Sequence, residues 1–176
     1  MTKKILAFGA SSSKNSINKQ LATYTANQFK NVSVEILDLN DYEMPIFSID
    51  REKENGIPQL AHDFYAKLGS ADLILISFAE HNGAYSTAFK NIFDWASRIN
   101  GKTFQEKPML LLATSPGARG GSSVLEIAKN RFPFQGGIVK GSFSLPSFND
   151  NFDSEKGITN KELKKQLLEI VNSVEF

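Results

Sequence analysis

Three short segments carry side chains suited to chemistry. The first is Glu80-His81-Asn82-Gly83, a polar cluster standing where the apolar run Ala71–Ala79 gives out. Histidine titrates near neutrality, so His81 can serve as a general acid or base. The chain has no G-x-S-x-G elbow to give it a nucleophile, and helix capping or stacking on a ligand is the better reading. Asn82-Gly83 is itself a turn signal. The second segment, Gly9–Asn18 (GASSSKNSIN), offers hydroxyl and amide donors at Ser11, Ser12, Ser13, Ser16 and Asn18. It leads into a helix, whose free N–H groups and positive dipole end favour an anion. Neither G-x-G-x-x-G nor G-K-[ST] is present, which argues against Rossmann dinucleotide binding and against a P-loop. A terminal phosphate monoester suits such a loop. Ser16 as a plain helix cap is the competing reading. The third segment, Thr114–Gly121 (TSPGARGG), has glycines that let backbone approach a flat ligand closely, or that simply make a turn. Arg119 between them suits a phosphate, a carboxylate or a second nucleotide, and equally suits solvent.

The elements around these segments explain their positions. Lys4–Gly9 reads as a buried strand, followed by a helix over about Ser16–Phe29 and an alternating strand, Val32–Leu39. The Pro, Gly and charges of Asn40–Pro58 mark a loop, and a helix starts at about Pro58. Ala71–Ala79 and Lys107–Thr114 are continuous apolar runs, the pattern of strands covered on both faces. Ala84–Ile99 is helical, with Phe89, Ile92, Phe93 and Ala96 spaced by three and four; these aromatics and Trp95 read as core. Gly120–Arg131, the strand Gly136–Leu145 and a last helix over Asn160–Val174 complete the chain. Strands separated by helices pair in parallel through right-handed crossovers. The expectation is one α/β domain spanning residues 1–176, a five-stranded doubly wound sheet. In such a sheet ligands bind beyond the carboxyl ends of the strands, where strand order reverses. All three polar segments follow strands.

Composition removes several alternatives. A formal net charge of +1 leaves no nucleic-acid footprint. With no cysteine and only His62 and His81, neither a disulfide scaffold nor a zinc or histidine-rich metal site is expected. The apolar part of MTKKILAFGA is too short to span a membrane and lacks a cleavage pattern, so a cytoplasmic protein is expected, with no membrane partner. Of the 14 phenylalanines most read as core, and some as pocket or interface.

The three loops together resemble the NADPH-dependent FMN reductase family, flavodoxin-like flavoproteins that include quinone, chromate and azo-dye reductases. ASSSKNSIN is similar to a G-S-x-R-x-x-S-x-N loop, AEHNGAYSTAFKNIFDW to P-E-Y-N-G-S…L-K-N-A-I-D-W, and SPGARGG to S-P-G-x-x-G-G. The resemblance covers about Lys3 to Phe152, and the long middle motif is its most specific part. It implies a flavodoxin-like three-layer α/β/α sandwich with strand order 2-1-3-4-5. By matching position it implies that Ser11, Ser13, Ser16 and Asn18 hold the FMN phosphate and ribityl. Ala79, Glu80, His81 and Asn82 would border the isoalloxazine ring, and Ser115, Gly117 and Gly120 its pyrimidine edge. Three positions depart from the family pattern: Ser13 for arginine, Ala79 for proline and His81 for tyrosine.

The implied activity is transfer of hydride from NADPH or NADH, through bound FMN, to FMN, quinones or similar acceptors. The cofactor carries that chemistry, so no side chain is assigned as catalytic. A homodimer or homotetramer is implied, with the helix Ala84–Asn100 and the loop Asn40–Pro58 near a partner. Tyr42, Phe47 and Arg51 are then candidate contacts. Two other readings stay open: a flavodoxin-like electron carrier, disfavoured by the net charge, and an α/β binding module without FMN.

Overall fold

The computed structural model describes residues 2–176. Its central sheet has five strands: β1 (Lys3–Ala10), β2 (Val32–Leu37), β3 (Leu73–Phe78), β4 (Lys107–Thr114) and β5 (Gly137–Leu145). They lie in the order β2-β1-β3-β4-β5, and every neighbouring pair is parallel. This is the order the resemblance implies. Strand periodicity sends alternate residues to opposite faces. On one face Leu6, Phe8, Ile74, Ile76, Phe78, Met109 and Leu111 pack under α3 (Gln59–Gly69), α4 (Thr87–Ile99) and α5 (Ser122–Arg131). On the other, Ile5, Ala7, Leu73, Leu75, Leu110 and Leu112 pack under α1 (Ile17–Ala26) and the C-terminal helix α6 (Lys161–Ser173). Both inner layers are therefore apolar, which is why the strand sequences read as unbroken hydrophobic runs.

The register sets the ends of the strands level. Ala10 pairs with Phe78, and Phe78 with Ala113, so β1, β3 and β4 finish side by side. Strand order reverses between β1 and β3, and the three polar loops emerge there. No helix among the described residues is long and apolar enough to cross a membrane.

The segment Asn40–Pro58 departs from its expected loop. It holds a 3-10 turn, Leu39–Tyr42, and a helix, α2 (Ile49–Asn55), capped by Ser48. α4 fastens it. The Asn91 side chain accepts from Phe47 N–H (2.8 Å) and donates to the carbonyls of Met44 (3.0 Å) and Pro45 (3.2 Å). Trp95 Nε1 donates to Pro45 as well (2.7 Å). The aromatic contacts expected in this segment are mostly inward-facing. Tyr42 is buried against Phe64, and Phe47 stands edge-on to Trp95 at 5.0 Å. Arg51 donates to the carbonyl of Ile46. Burial of an aromatic ring outweighs exposure, and the large apolar side chains left in solvent in this segment are Ile46 and Ile49.

On the β2 side Glu35 accepts from Lys4 (2.6 Å) and Lys67 (2.5 Å). Its hydrogen bond to Lys4, then that to Lys67, lowers its pKa. A carboxyl whose folded pKa is depressed stabilises above its unfolded pKa, and that stability is lost as pH falls through the folded value. Glu35→Gln is thus expected to lower the Tm at pH 7 by about a degree or two, the pair being partly solvated. The difference should close below pH ~4. Thermal melts of both proteins across that range check this.

Candidate functional site

Each loop is built to hold a fixed shape. At the first, Gly9 is the penultimate residue of β1, and a Cβ there would lie 2.4 Å from the Lys19 backbone nitrogen and 2.8 Å from Lys19 Cα. Glycine therefore lets α1 begin directly against the strand end. Ser16 Oγ accepts from Lys19 N–H (3.1 Å), so this serine does cap the helix. Ser11 N–H donates to the Gly9 carbonyl (2.8 Å), Ser13 N–H to Ser11 Oγ (3.1 Å) and Ser16 N–H to the Ser13 carbonyl (3.2 Å). Among the described residues, the N–H groups of Ser12, Lys14, Asn15, Ile17 and Asn18 have no protein partner. Several unpaired donors at the positive end of a helix are the chemistry an anion requires.

Asn18 is fully buried and does more than the sequence indicates. Its amide donates to the Thr114 carbonyl (3.1 Å), while its Oδ1 accepts from Ser77 Oγ (2.7 Å) and Thr114 N–H (3.1 Å). One side chain thereby ties the first loop to β3 and to the end of β4. A single amide hydrogen remains for a ligand.

The second loop is a hairpin. Glu80–His81 pairs antiparallel with Ala84–Tyr85, and Asn82 (φ 53°) and Gly83 (φ 77°) make the intervening turn. Two successive left-handed residues define the I′ turn that matches strand twist. The pairing delays α4, which starts at Thr87 rather than Ala84. Glu80 has a structural duty that the sequence did not reveal: its Oε2 accepts from Val124 N–H (3.0 Å) in the first turn of α5. The α5 cap, Gly121, has no side chain to do this. Ser86, also missed in the sequence, caps α4 through Phe89 N–H (3.2 Å) and donates to the Ala10 carbonyl (2.8 Å). Its place before an apolar-periodic run was the available signal. His81 is exposed on this fixed platform.

Tyr85 anchors the hairpin from below, with its ring against Phe78, Phe89 and Phe132. Its hydroxyl is buried without a partner, and that desolvation pushes the phenol pKa well above its usual value. Removing an unpaired buried hydroxyl is neutral or favourable. Tyr85→Phe is expected to leave the Tm unchanged or raise it by about 2–4 °C. A clear fall in a thermal melt would mean that the hydroxyl has a partner in solution.

In the third loop Thr114 Oγ1 donates to the Leu145 carbonyl (2.7 Å). The Gly117 carbonyl accepts from Ser147 N–H (3.0 Å) and Gly120 N–H (3.1 Å), and the Gly120 carbonyl accepts from Ser144 Oγ (2.9 Å). Arg119 is turned onto Ser123 (2.7 Å).

The loops enclose a cleft of about 220 Å³. Ser11, Ser13, Ser16, Asn18, Ala79, Glu80, His81 and Ser115 line it, with Asn15 and Thr114 beside them. Asn82, Gly117 and Gly120 lie outside its lining. Asn82 stands at the hairpin tip, while the carbonyl of Gly117 seats the chain after β5 through Ser147 and that of Gly120 holds Ser144 near the end of β5. Among the described residues no lysine or arginine lines the cleft. An anion there would rest on N–H and hydroxyl donors, which suit a flavin phosphate without a guanidinium at Ser13.

A parallel five-stranded sheet in this order, with three loops gathered at its switch point, is a flavodoxin-like fold. The chain belongs to the NADPH-dependent FMN reductase family, whose model matches residues 3–150. It is accordingly an oxidoreductase, with FMN as cofactor and NAD(P)H as co-substrate. It is 31% identical over 164 residues to an uncharacterised protein of Mycoplasma pneumoniae, covering 90% of this chain and 96% of that one. Similarity to NADPH:quinone oxidoreductase of Arabidopsis thaliana is 27% identity, over 86% of this chain and 77% of the other. Among solved structures, the FerB flavoenzyme NAD(P)H:(acceptor) oxidoreductase of Paracoccus denitrificans aligns with a TM-score of 0.77 at 22% identity. That alignment covers 97% of this chain and 93% of the other.

Proposed function

We propose that residues 1–176 act as one FMN-binding domain that passes reducing equivalents from NADPH or NADH to a quinone-like acceptor. The observation that carries this reading is the row of unpaired N–H groups at the start of α1, set level with a rigid hairpin and a glycine-rich turn. Ser11, Ser13 and Ser16, with the free N–H groups beside them, hold the phosphate, and Asn18 offers its remaining amide hydrogen. Ala79, Glu80, His81 and Asn82 border the ring. Ser115 meets its pyrimidine edge, with Gly117 and Gly120 shaping that loop. Bound FMN supplies the hydride chemistry, and the protein supplies orientation and electrostatics. The fixed hairpin holds one ring face, leaving the other open to reductant and acceptor in turn. The acceptor class rests on relatives named as quinone oxidoreductases. A cytoplasmic homodimer or homotetramer fits the exposed Ile46 and Ile49 beside α4.

Anaerobic stopped-flow spectroscopy of the FMN-loaded protein tests this. NADPH or NADH alone is expected to bleach the flavin band, and a benzoquinone to restore it. A flavin that stays oxidised with both nucleotides would favour an electron carrier instead.

A further inference from the structure

A second groove, of about 500 Å³, runs along α1 and faces the short ladder between Phe152–Asp153 and Gly157–Ile158. It shares Asn15 and Ser16 with the flavin cleft, so the two meet at the end assigned to the phosphate. From Ser16 to Asn27 the helix rises about 16 Å, room for a nucleoside monophosphate laid lengthwise.

The lining is differentiated along its walls. Tyr24 and Phe152 form an aromatic wall, edge to face at 5.6 Å, and Phe152 is backed by Phe148 at 4.6 Å. The Tyr24 hydroxyl is buried with no partner. Gln20 and Asn27 present exposed amides whose side chains make no intramolecular hydrogen bond among the described residues. Paired donor and acceptor groups of this kind match the edge of adenine. Of the two lysines that line the groove, Lys19 is held by Asp38, while Lys14 lies outside every ion pair among the described residues and adjoins the shared end, where a second phosphate would need a cation. Glu155 is the groove's carboxylate. It can accept from the two hydroxyls of a ribose and would repel a 2′-phosphate.

We propose that this groove receives the adenylate half of FAD, so that the chain takes FAD as well as FMN. The inference rests on the flavin reading of the adjoining cleft. The 2′-phosphate penalty at Glu155 disfavours NADPH as its occupant.

Calorimetric titration of the flavin-free protein with FMN, FAD and AMP separates the possibilities. The wild type is expected to bind FAD with a Kd within about tenfold of that for FMN. Gln20→Trp and Asn27→Trp, both at exposed positions, fill the groove. Each is expected to weaken FAD by about tenfold or more while leaving FMN unchanged. FMN binding with FAD weaker by about a hundredfold would overturn the groove assignment and leave the FMN reading intact. Equal weakening of both flavins in the two variants would also overturn it, as would AMP binding that the variants abolish while FAD stays excluded. If the wild type binds neither flavin, the cleft reading itself fails.

Discussion

Gly9→Ala is expected to be the most damaging single substitution at the site. The added carbon would meet the backbone of Lys19 at 2.4 and 2.8 Å and that of Asn18 at 2.9 Å. Those atoms belong to the first turn of α1, which cannot yield as the end of a flexible side chain would. Either α1 moves off the sheet or β1 bends. Overpacking of this kind costs about 3 kcal/mol, or about 10 °C of Tm in a chain of this size. The same displacement spreads the unpaired N–H groups of the loop proposed to hold the phosphate, so FMN affinity should fall with stability. A thermal melt and an FMN titration check both effects. A variant with unchanged Tm and affinity would mean that α1 does not sit this close to β1.

Asn18→Ala comes next, because one buried side chain satisfies three groups. Its loss leaves Ser77 Oγ, Thr114 N–H and the Thr114 carbonyl without their partner. Unpaired buried polar groups cost about 1–3 kcal/mol each, and partial relaxation brings the expected loss to about 3 kcal/mol. Asn18→Asp separates structure from binding. A carboxylate still accepts from Ser77 and Thr114 N–H, but it faces the Thr114 carbonyl and sets a negative charge beside the anion site. It is expected to melt above the alanine variant yet bind FMN weaker than wild type by about tenfold or more. Circular-dichroism melts with flavin fluorescence titrations distinguish the two effects. Equal stability and equal affinity in both variants would contradict the tie.

How much of this was legible in the sequence depends on the range of each interaction. The runs LILISF and KPMLLLAT declared doubly covered strands because both faces need apolar residues, and the sheet order followed from the resemblance. The gathering of the three polar loops was legible too, since small polar residues interrupted each strand at its end. Long-range polar ties were not. Asn18 reads as a ligand residue until Thr114, 96 positions away, closes on it. Glu80 reads as unemployed until α5 brings Val124 to its carboxylate, 44 positions away. Ser77 was a signal overlooked, a lone hydroxyl in an otherwise apolar strand. Between β2 and α3, the helix Ile49–Asn55 with its Ser48 cap was missed, and proline and charge read as a loop. What orders it is tertiary, the hydrogen bonds from Asn91 and Trp95.

Stoichiometric capture of flavin shows whether the cleft is an FMN site. Purified protein is mixed with excess FMN, desalted, and its visible spectrum recorded. The expected result is a yellow protein carrying about one flavin per chain, with absorption bands displaced from those of free FMN. A colourless eluate, with all the flavin in the small-molecule fraction, would contradict it.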